Sequence, residues 1–307
     1  MVKGVQEMEP YFEQNKNQSG LTDIERPFYV GCQTTELEGY HISPHWHYHM
    51  EIIYMAYGEA SITVGSRVYE AQEDDFILIH PCEVHSVIVN KGKPSRHFVI
   101  GLDPELLIPL PKLAFQLSYS LPYATSVNLY TKVITPTKQD ASMLHLLIEE
   151  MQMEYHTKSS GFELAVTAAI YRLVLFLFRH PQGLQLLTES PSMDDSSKME
   201  AFRSVLIYLN DHCHRNITAE EIAKISMMSY SRFAAFFKRV MHTSFTQYLM
   251  FLRIRKAEQL LLDPTKSITQ IALEAGFNHV SYFIKNFKRI KGISPKLYRN
   301  QVLLISR

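Results

Sequence analysis

The stretch Ser267 to Arg299, SITQIALEAGFNHVSYFIKNFKRIKGISPKLYR, decides how the C-terminal third of this chain folds. Ser267 and Gln270 have the spacing of a capping box, in which two side chains satisfy the first unpaired N–H groups of a helix. Ile268, Ile271 and Ala272 follow at helical spacing. Gly276 then supplies the positive φ that a tight turn needs. A second helix is predicted over Val280 to Lys291. Phe283 and Phe287, four apart, face inward, and Lys285, Lys288, Arg289 and Lys291 line other sides. A short helix pair with a basic second member is how a protein puts side chains into a major groove.

The pattern occurs twice. In Ile217 to Tyr248, ITAEEIAKISMMSYSRFAAFFKRVMHTSFTQY, Thr218 and Glu221 precede Ser267 and Gln270 by 49 positions, and Ile222-Ala223 precede Ile271-Ala272 by the same offset. Phe237-Lys238-Arg239, Ser244 and Tyr248 precede Phe287-Lys288-Arg289, Ser294 and Tyr298 by 50. One extra residue in the second turn accounts for the change, and a duplicated unit is the simplest reading. Between the units Met250, Ile254, Ala257 and Leu261 form a helical stripe, so one helix carrying Arg253, Arg255 and Lys256 joins them.

With these residues the chain resembles the AraC/XylS family of bacterial transcription regulators. The resemblance is carried by Ala272, Gly276-Phe277, Ser281-Tyr282-Phe283, Phe287-Lys288, Gly292, Ser294-Pro295 and Tyr298-Arg299, and covers about a third of the chain. It implies an all-α DNA-binding domain over 199–307 whose two helix-turn-helix units enter successive major grooves of double-stranded DNA. By spacing and family position, base-facing candidates are Tyr230, Ser231, Ala234 and Ala235 in the first unit. In the second they are Val280, Ser281, Ile284 and Lys285. Phosphate-contacting candidates are Arg232, Lys238, Arg239, Lys285, Lys288 and Arg289. Ala234, Ala235, Val280 and Ile284 either pack or touch thymine methyls; they cannot make bidentate bonds to bases. Many relatives carry Arg or Gln near the position of Ala235, and His242 stands where the family usually has Gly, which Gly292 keeps. The second unit is therefore expected to contribute at least as much specificity as the first.

The chain of 307 residues has zero net charge, and that sum hides an asymmetry. From Met199 onward there are 17 basic and 7 acidic residues, a balance of +10, against 14 and 24, a balance of −10, before it. A basic module matches a polyanionic partner, and an acidic remainder does not adhere to one. Cys32, Cys82 and Cys213 are few and far apart, with no disulfide framework or Cys-x-x-Cys pair. Together with an N-terminus that lacks an apolar signal core, this predicts a cytoplasmic protein with no membrane role.

Residues 1–26 are expected to form an N-terminal arm. Short β-type runs follow from Pro27: 28–32, 51–57, 60–64, 67–70, 76–80, 84–89 and 97–100, separated by turn residues such as Gly58, Gly65-Ser66 and Asp74-Asp75. Such spacing argues for an antiparallel barrel or jelly roll over 27–138. Leu110 to Thr137 resists assignment. Gln139 to His156 and Gly161 to Arg179 form a helix pair, 139–180, that packs on the barrel or makes a dimer interface. The Pro-, Ser- and acid-rich stretch 181–198 reads as a linker. The fold class is α+β in two domains.

Within the barrel, residues 39–51, GYHISPHWHYHME, stand out. Alternation along a strand sends His45, His47, His49 and Glu51 to one face, and His85 comes from a later strand. The segment resembles the first cupin motif, and Pro81 with His85 partly matches the second, although Glu83 sits where enzymatic cupins often have Gly. Within the AraC/XylS group such a barrel usually senses a small effector, often a sugar. Three readings stand. His45, His47, Glu51 and His85 hydrogen-bond a polar effector, with Trp46, Tyr48 or Tyr54 as stacking surfaces. Or the same four residues bind a divalent metal, in a sensor or an enzyme fused to a DNA-binding domain. Or they are strand residues satisfied by their neighbours. The expectation is a non-enzymatic, effector-responsive regulator without a cofactor. By family habit it is an activator of carbohydrate-related genes that works with RNA polymerase and forms a homodimer.

Overall fold

The computed structural model describes residues 11–13, 27–47, 49–81, 83–103, 106, 132–180, 193–241 and 243–305. They divide into two compact units, one carrying the strands and a helix pair, the other all-helical.

In the first unit the chain runs through β1 (Tyr11–Phe12), β2 (Phe28–Thr35), β3 (Tyr40–Trp46), β4 (Met50–Tyr57), β5 (Ala60–Val64), β6 (Arg67–Ala71), β7 (Phe76–Ile79), β8 (His85–Val89), β9 (Ser95–Leu102) and β10 (Val133–Ile134). They form two five-stranded sheets, ordered β1-β3-β8-β5-β6 and β10-β7-β4-β9-β2. The short β1 lies parallel to β3, and the other described pairings are antiparallel. The sheets close on an apolar interior built by Ile53, Met55, Ile77 and Ile79 from one and Ile62, Val64, Val87 and Val89 from the other. This is the expected double-sheet, cupin-like arrangement. The stretch that resisted assignment lies mostly outside the described residues, but its Val133-Ile134 adds an edge strand beside β7.

The outer face of the second sheet packs on α1 (Lys138–Thr157) and α2 (Phe162–Arg179). Thr137 caps α1 by accepting the Asp140 N–H, and Lys158 closes it in a left-handed conformation. Alternation in β4 divides the two cores: Ile52 and Tyr54 join Leu144, Ile148, Ile170 and Leu173 under the helices, while Ile53 and Met55 point into the barrel.

The second unit contains α3 (Met193–His212), α4 (Ala219–Ser226), α5 (Tyr230–Met241), α6 (Phe245–Leu261), α7 (Ile268–Glu274), α8 (Val280–Lys291) and α9 (Pro295–Ile305). Helix α3 begins at Met193, inside the stretch that composition assigns to a linker. Its MDDSSK start suits a helix N-terminus equally well, because carboxylates there oppose the macrodipole. Thr218/Glu221 and Ser267/Gln270 form reciprocal capping boxes, as expected, and Ser244/Gln247 forms a third at the start of α6. The α4–α5 and α7–α8 pairs are the two helix-turn-helix units, joined by α6.

Within the helical unit, the residues that follow α3 hold both α6 and the turn after α7. Arg253 of α6 donates to the carbonyls of Cys213 (2.8 Å) and Arg215 (3.0 Å), in the turn that follows α3. Gly276, at φ +92, lies so close to His214 that a Cβ there would stand 2.7 Å from its carbonyl oxygen. Its counterpart Met227 adopts φ 52 and is well exposed, so only the second turn combines a left-handed conformation with close backbone approach.

Candidate functional site

The two recognition helices present matching faces. Phe233, Phe237, Phe283 and Phe287 are buried, as their spacing predicts. On α5, Tyr230, Ser231, Arg232, Ala235, Lys238 and Arg239 are exposed, and Ala234 is half-buried. On α8, Ser281, Ile284, Lys285, Lys288 and Arg289 are exposed, and Val280 is half-buried. Tyr282, outside the expected set, is also exposed at the start of α8. His242 lies outside the described residues.

One pair of equivalent positions differs in chemistry but serves the same end. The guanidinium of Arg239 lies over the Phe236 ring, 5.3 Å from its centroid. Arg289 instead donates to the buried Asn286 (2.9 Å), whose amide donates to the Tyr282 carbonyl (2.8 Å). Each arginine is thereby steered by the residue three positions earlier, on the helix face next to the phosphate-contacting candidates.

In the barrel, His45, His47, His85 and Glu51 are all at least nine-tenths buried. The segment 45–51 is not one strand. Strand β3 ends at Trp46 and β4 begins at Met50, and a register shift between Ile42 and His45 turns His45 inward. The ring nitrogens of His45, His47 and His85 converge, with one atom from each within 4.8 Å of the others. In all three rings Nδ1 faces a backbone carbonyl: His45 to Ser43 (2.9 Å), His47 to His49 (2.9 Å) and His85 to Glu83 (3.0 Å). A carbonyl only accepts, so each Nδ1 carries the proton and each Nε2 is the nitrogen turned into the site. His47 Nε2 stands 3.2 Å and His85 Nε2 3.4 Å from Glu51 oxygens, yet neither makes a hydrogen bond. Two donors each about 2.1 Å from a shared ion, at 90–109°, are roughly 3.0–3.4 Å apart. Buried nitrogens without hydrogen bonds, at these separations from a carboxylate, fit a divalent ion.

The electrostatics agree with the geometry. Burial lowers His47 to about 4, so its imidazole is neutral near pH 7.

A second layer fixes Glu51. Tyr29 donates its hydroxyl to Glu51, and burial followed by that carboxylate pushes the phenol well above its ordinary value. His49 stacks on His47 (3.7 Å between centroids) and meets the Tyr29 hydroxyl at 3.0 Å. Tyr29, Gly101 and Glu51 lie in one row across β2, β9 and β4. The Tyr29 ring crosses Gly101, where a Cβ would stand 1.8 Å from the ring. Glu83 is no empty substitute for Gly. Its carboxylate is bound by Lys132 (2.6 Å) and the His80 N–H (2.8 Å), while its carbonyl orients His85. Burial lowers Lys132, and Glu83 partly offsets that shift. Sequence reasoning missed Tyr29, Lys132 and Glu13, whose carboxylate lies 3.2 Å from His45. The one local signal was Gly101, just past the run 97–100 and inside β9 in the structure.

The proposed stacking role of Tyr54 does not hold. Alternation in β4 sends it away from Glu51 to the helix side, where it stacks on Phe76 and donates to Asp74 (2.9 Å). Trp46, half-buried, is on the strand face opposite His45 and registers with Phe12. Tyr48 lies outside the described residues.

The chain matches two domain families: a helix-turn-helix domain over 222–301 and an AraC-like ligand binding domain over 27–174. It is 26% identical to YdeC, an uncharacterised HTH-type transcriptional regulator of Bacillus subtilis (strain 168), over 93% of this chain and 97% of that one. It is 22% identical to the melibiose operon regulatory protein of Escherichia coli (strain K12), over 86% of each. Among solved structures, ToxT from Vibrio cholerae O395 bound to (E)-4-(8-methylnaphthalen-1-yl)but-3-enoic acid covers 90% of this chain and 100% of its own, at 16% identity and a TM-score of 0.45. Among the described residues no helix is long and apolar enough to cross a membrane.

Proposed function

Because this chain belongs to the AraC family of transcription regulators, we propose that its buried imidazole–carboxylate cluster binds the signal to which its DNA-binding helices respond. It is a transcription regulator with a helix-turn-helix DNA-binding domain and a ligand-binding domain. The occupant that suits the barrel best is a divalent metal ion held by His45, His47, His85 and Glu51. The observation that carries this is the shared orientation of three imidazoles, each Nδ1 on a backbone carbonyl and each Nε2 turned into the site. Bound there, an ion would cross-link β3, β4 and β8, and so change the relative stability of conformations that differ at those strands.

A second reading keeps a sugar in the same pocket, its hydroxyls bonded to the imidazoles and to Glu51. The resemblance to the melibiose operon regulatory protein supports it. Under this reading the protein activates carbohydrate-related genes, acting on RNA polymerase. In either case a homodimer through α1 and α2 would cover Met143, Leu146, Met153, Leu164 and Leu175, large apolar side chains exposed on those helices.

The test is metal content after gentle purification, followed by mobility shift on the protein's own promoter region with a metal and a sugar panel. One ion per chain and a metal-dependent shift support the first reading. A metal-free protein whose shift responds to a sugar supports the second. A protein without sequence-selective binding at moderate salt overturns both.

A further inference from the structure

Glu13 is remote in sequence from the histidine segment and directly follows the edge strand β1, which does not itself carry the cluster. Parallel pairing sets Tyr11 beside His45 and Phe12 beside Trp46, and the Glu13 N–H donates to the Trp46 carbonyl (2.9 Å). This backbone bond delivers the Glu13 carboxylate to within 3.2 Å of His45 Nε2, with the side chain largely buried. Glu51 lies on the other side, against His47 and His85. The three imidazoles thus meet two carboxylates, one from the barrel and one from the residue that follows β1.

We propose that Glu13 is a fifth protein ligand of the divalent ion held by His45, His47, His85 and Glu51. The proposal rests on the metal reading of that cluster. Its distance from His45 matches the spacing of two donors on one ion, like the two Glu51 contacts. Charge points the same way. Two carboxylates in a buried site are costly unless compensated, and one divalent ion neutralises both. A sugar neutralises neither. Three imidazoles and two carboxylates exceed the four ligands of a structural zinc site. They suit a six-coordinate first-row ion such as Mn(II), Fe(II), Co(II) or Ni(II), with one position open. Because Glu13 reaches the site only through β1, ligation also secures β1 against β3.

The full-length chain, stripped by chelator, is titrated with Mn(II), Co(II), Ni(II) and Zn(II), comparing wild type with Glu13→Gln. Hydrogen exchange is followed in the peptide spanning Tyr11 to Glu13, with and without ion. The expected result is one ion per wild-type chain, affinity weakened about 10–100-fold in Glu13→Gln, and ion-dependent protection of the Glu13 amide in wild type alone. The Co(II) absorption bands should also differ between the two proteins. If wild type binds one ion, Glu13→Gln binds it equally well, and exchange at residues 11–13 ignores the ion, Glu13 is not a ligand although the cluster binds metal. If wild type binds none of the ions, the metal reading fails and the proposal fails with it. Unchanged thermal unfolding of Glu13→Gln without metal shows that weaker binding is not misfolding.

Discussion

Gly101→Ala tests how the barrel holds Glu51. A Cβ at this position would lie 1.8, 2.3 and 2.4 Å from three atoms of the Tyr29 ring, so the ring must leave its place. Displacing packed atoms costs about 1–3 kcal/mol. Losing the Tyr29 bond to an ionised carboxylate costs roughly a further 1.5–3 kcal/mol. Gly101→Ala alone should therefore destabilise the barrel by roughly 3–5 kcal/mol. With Tyr29→Ala already in place the three atoms nearest that Cβ are gone. The same substitution should then be neutral, or stabilising by up to about 1 kcal/mol, because Ala restricts the unfolded chain more than Gly. The sign changes with the background, which implies a coupling energy of several kcal/mol. Urea unfolding followed by fluorescence measures it in the right unit, since Trp46 is the chain's single tryptophan and lies in β3. Effects that add to within about 0.5 kcal/mol would refute the reasoning.

Further outcomes follow from other sites. Gly276→Ala must place a Cβ against the His214 backbone at φ +92 and should cost roughly 2–4 kcal/mol of helical-unit stability. Met227→Gly, at the matching but open turn, should change it by no more than about 1 kcal/mol; melting both by circular dichroism checks the contrast. Burial lowers His97 to about 4, so the folded barrel excludes a proton that the unfolded chain accepts below about 6.5. The folded pKa is depressed, so this stability is present above pH 6.5 and declines toward pH 4, by on the order of 3 kcal/mol. Trp46-monitored unfolding of His97→Gln should show a flatter pH dependence in that window. On DNA, Lys285→Ala should weaken binding to the protein's own operator more than Ser231→Ala and reduce the salt dependence by about one unit of slope. Equal losses would show that the second unit does not dominate.

The helical unit was largely legible before any coordinates. Capping boxes, the Gly276 turn and the Phe283/Phe287 spacing are local signals within a few residues of each other, and each lies where spacing sets it. The start of α3 was not, because Ser and Asp serve linkers and helix N-termini alike. In the barrel, alternation along β4 already sets Tyr54 on the face opposite Glu51, so a stacking role beside Glu51 conflicts with the strand period itself. That His45, His47 and Glu51 meet through two separate strands and a register shift, not through one alternating run, is a tertiary fact.

What the sequence determined by itself is whatever a period of 3.6 or 2, a cap or a repeat encodes: two helix-turn-helix units, a basic module after an acidic one, and a barrel that holds a histidine-rich segment. Tertiary structure alone decided which distant groups meet those histidines. Strand pairing carries Glu13 to His45, the row across β2, β9 and β4 carries Tyr29 over Gly101 to Glu51, and a buried ion pair carries Lys132 to the Glu83 loop. The Tyr29–Glu51 and Lys132–Glu83 contacts span 22 and 49 residues. Such distances leave no periodic trace in the chain, because they are fixed by the register between strands and not by the residues within one.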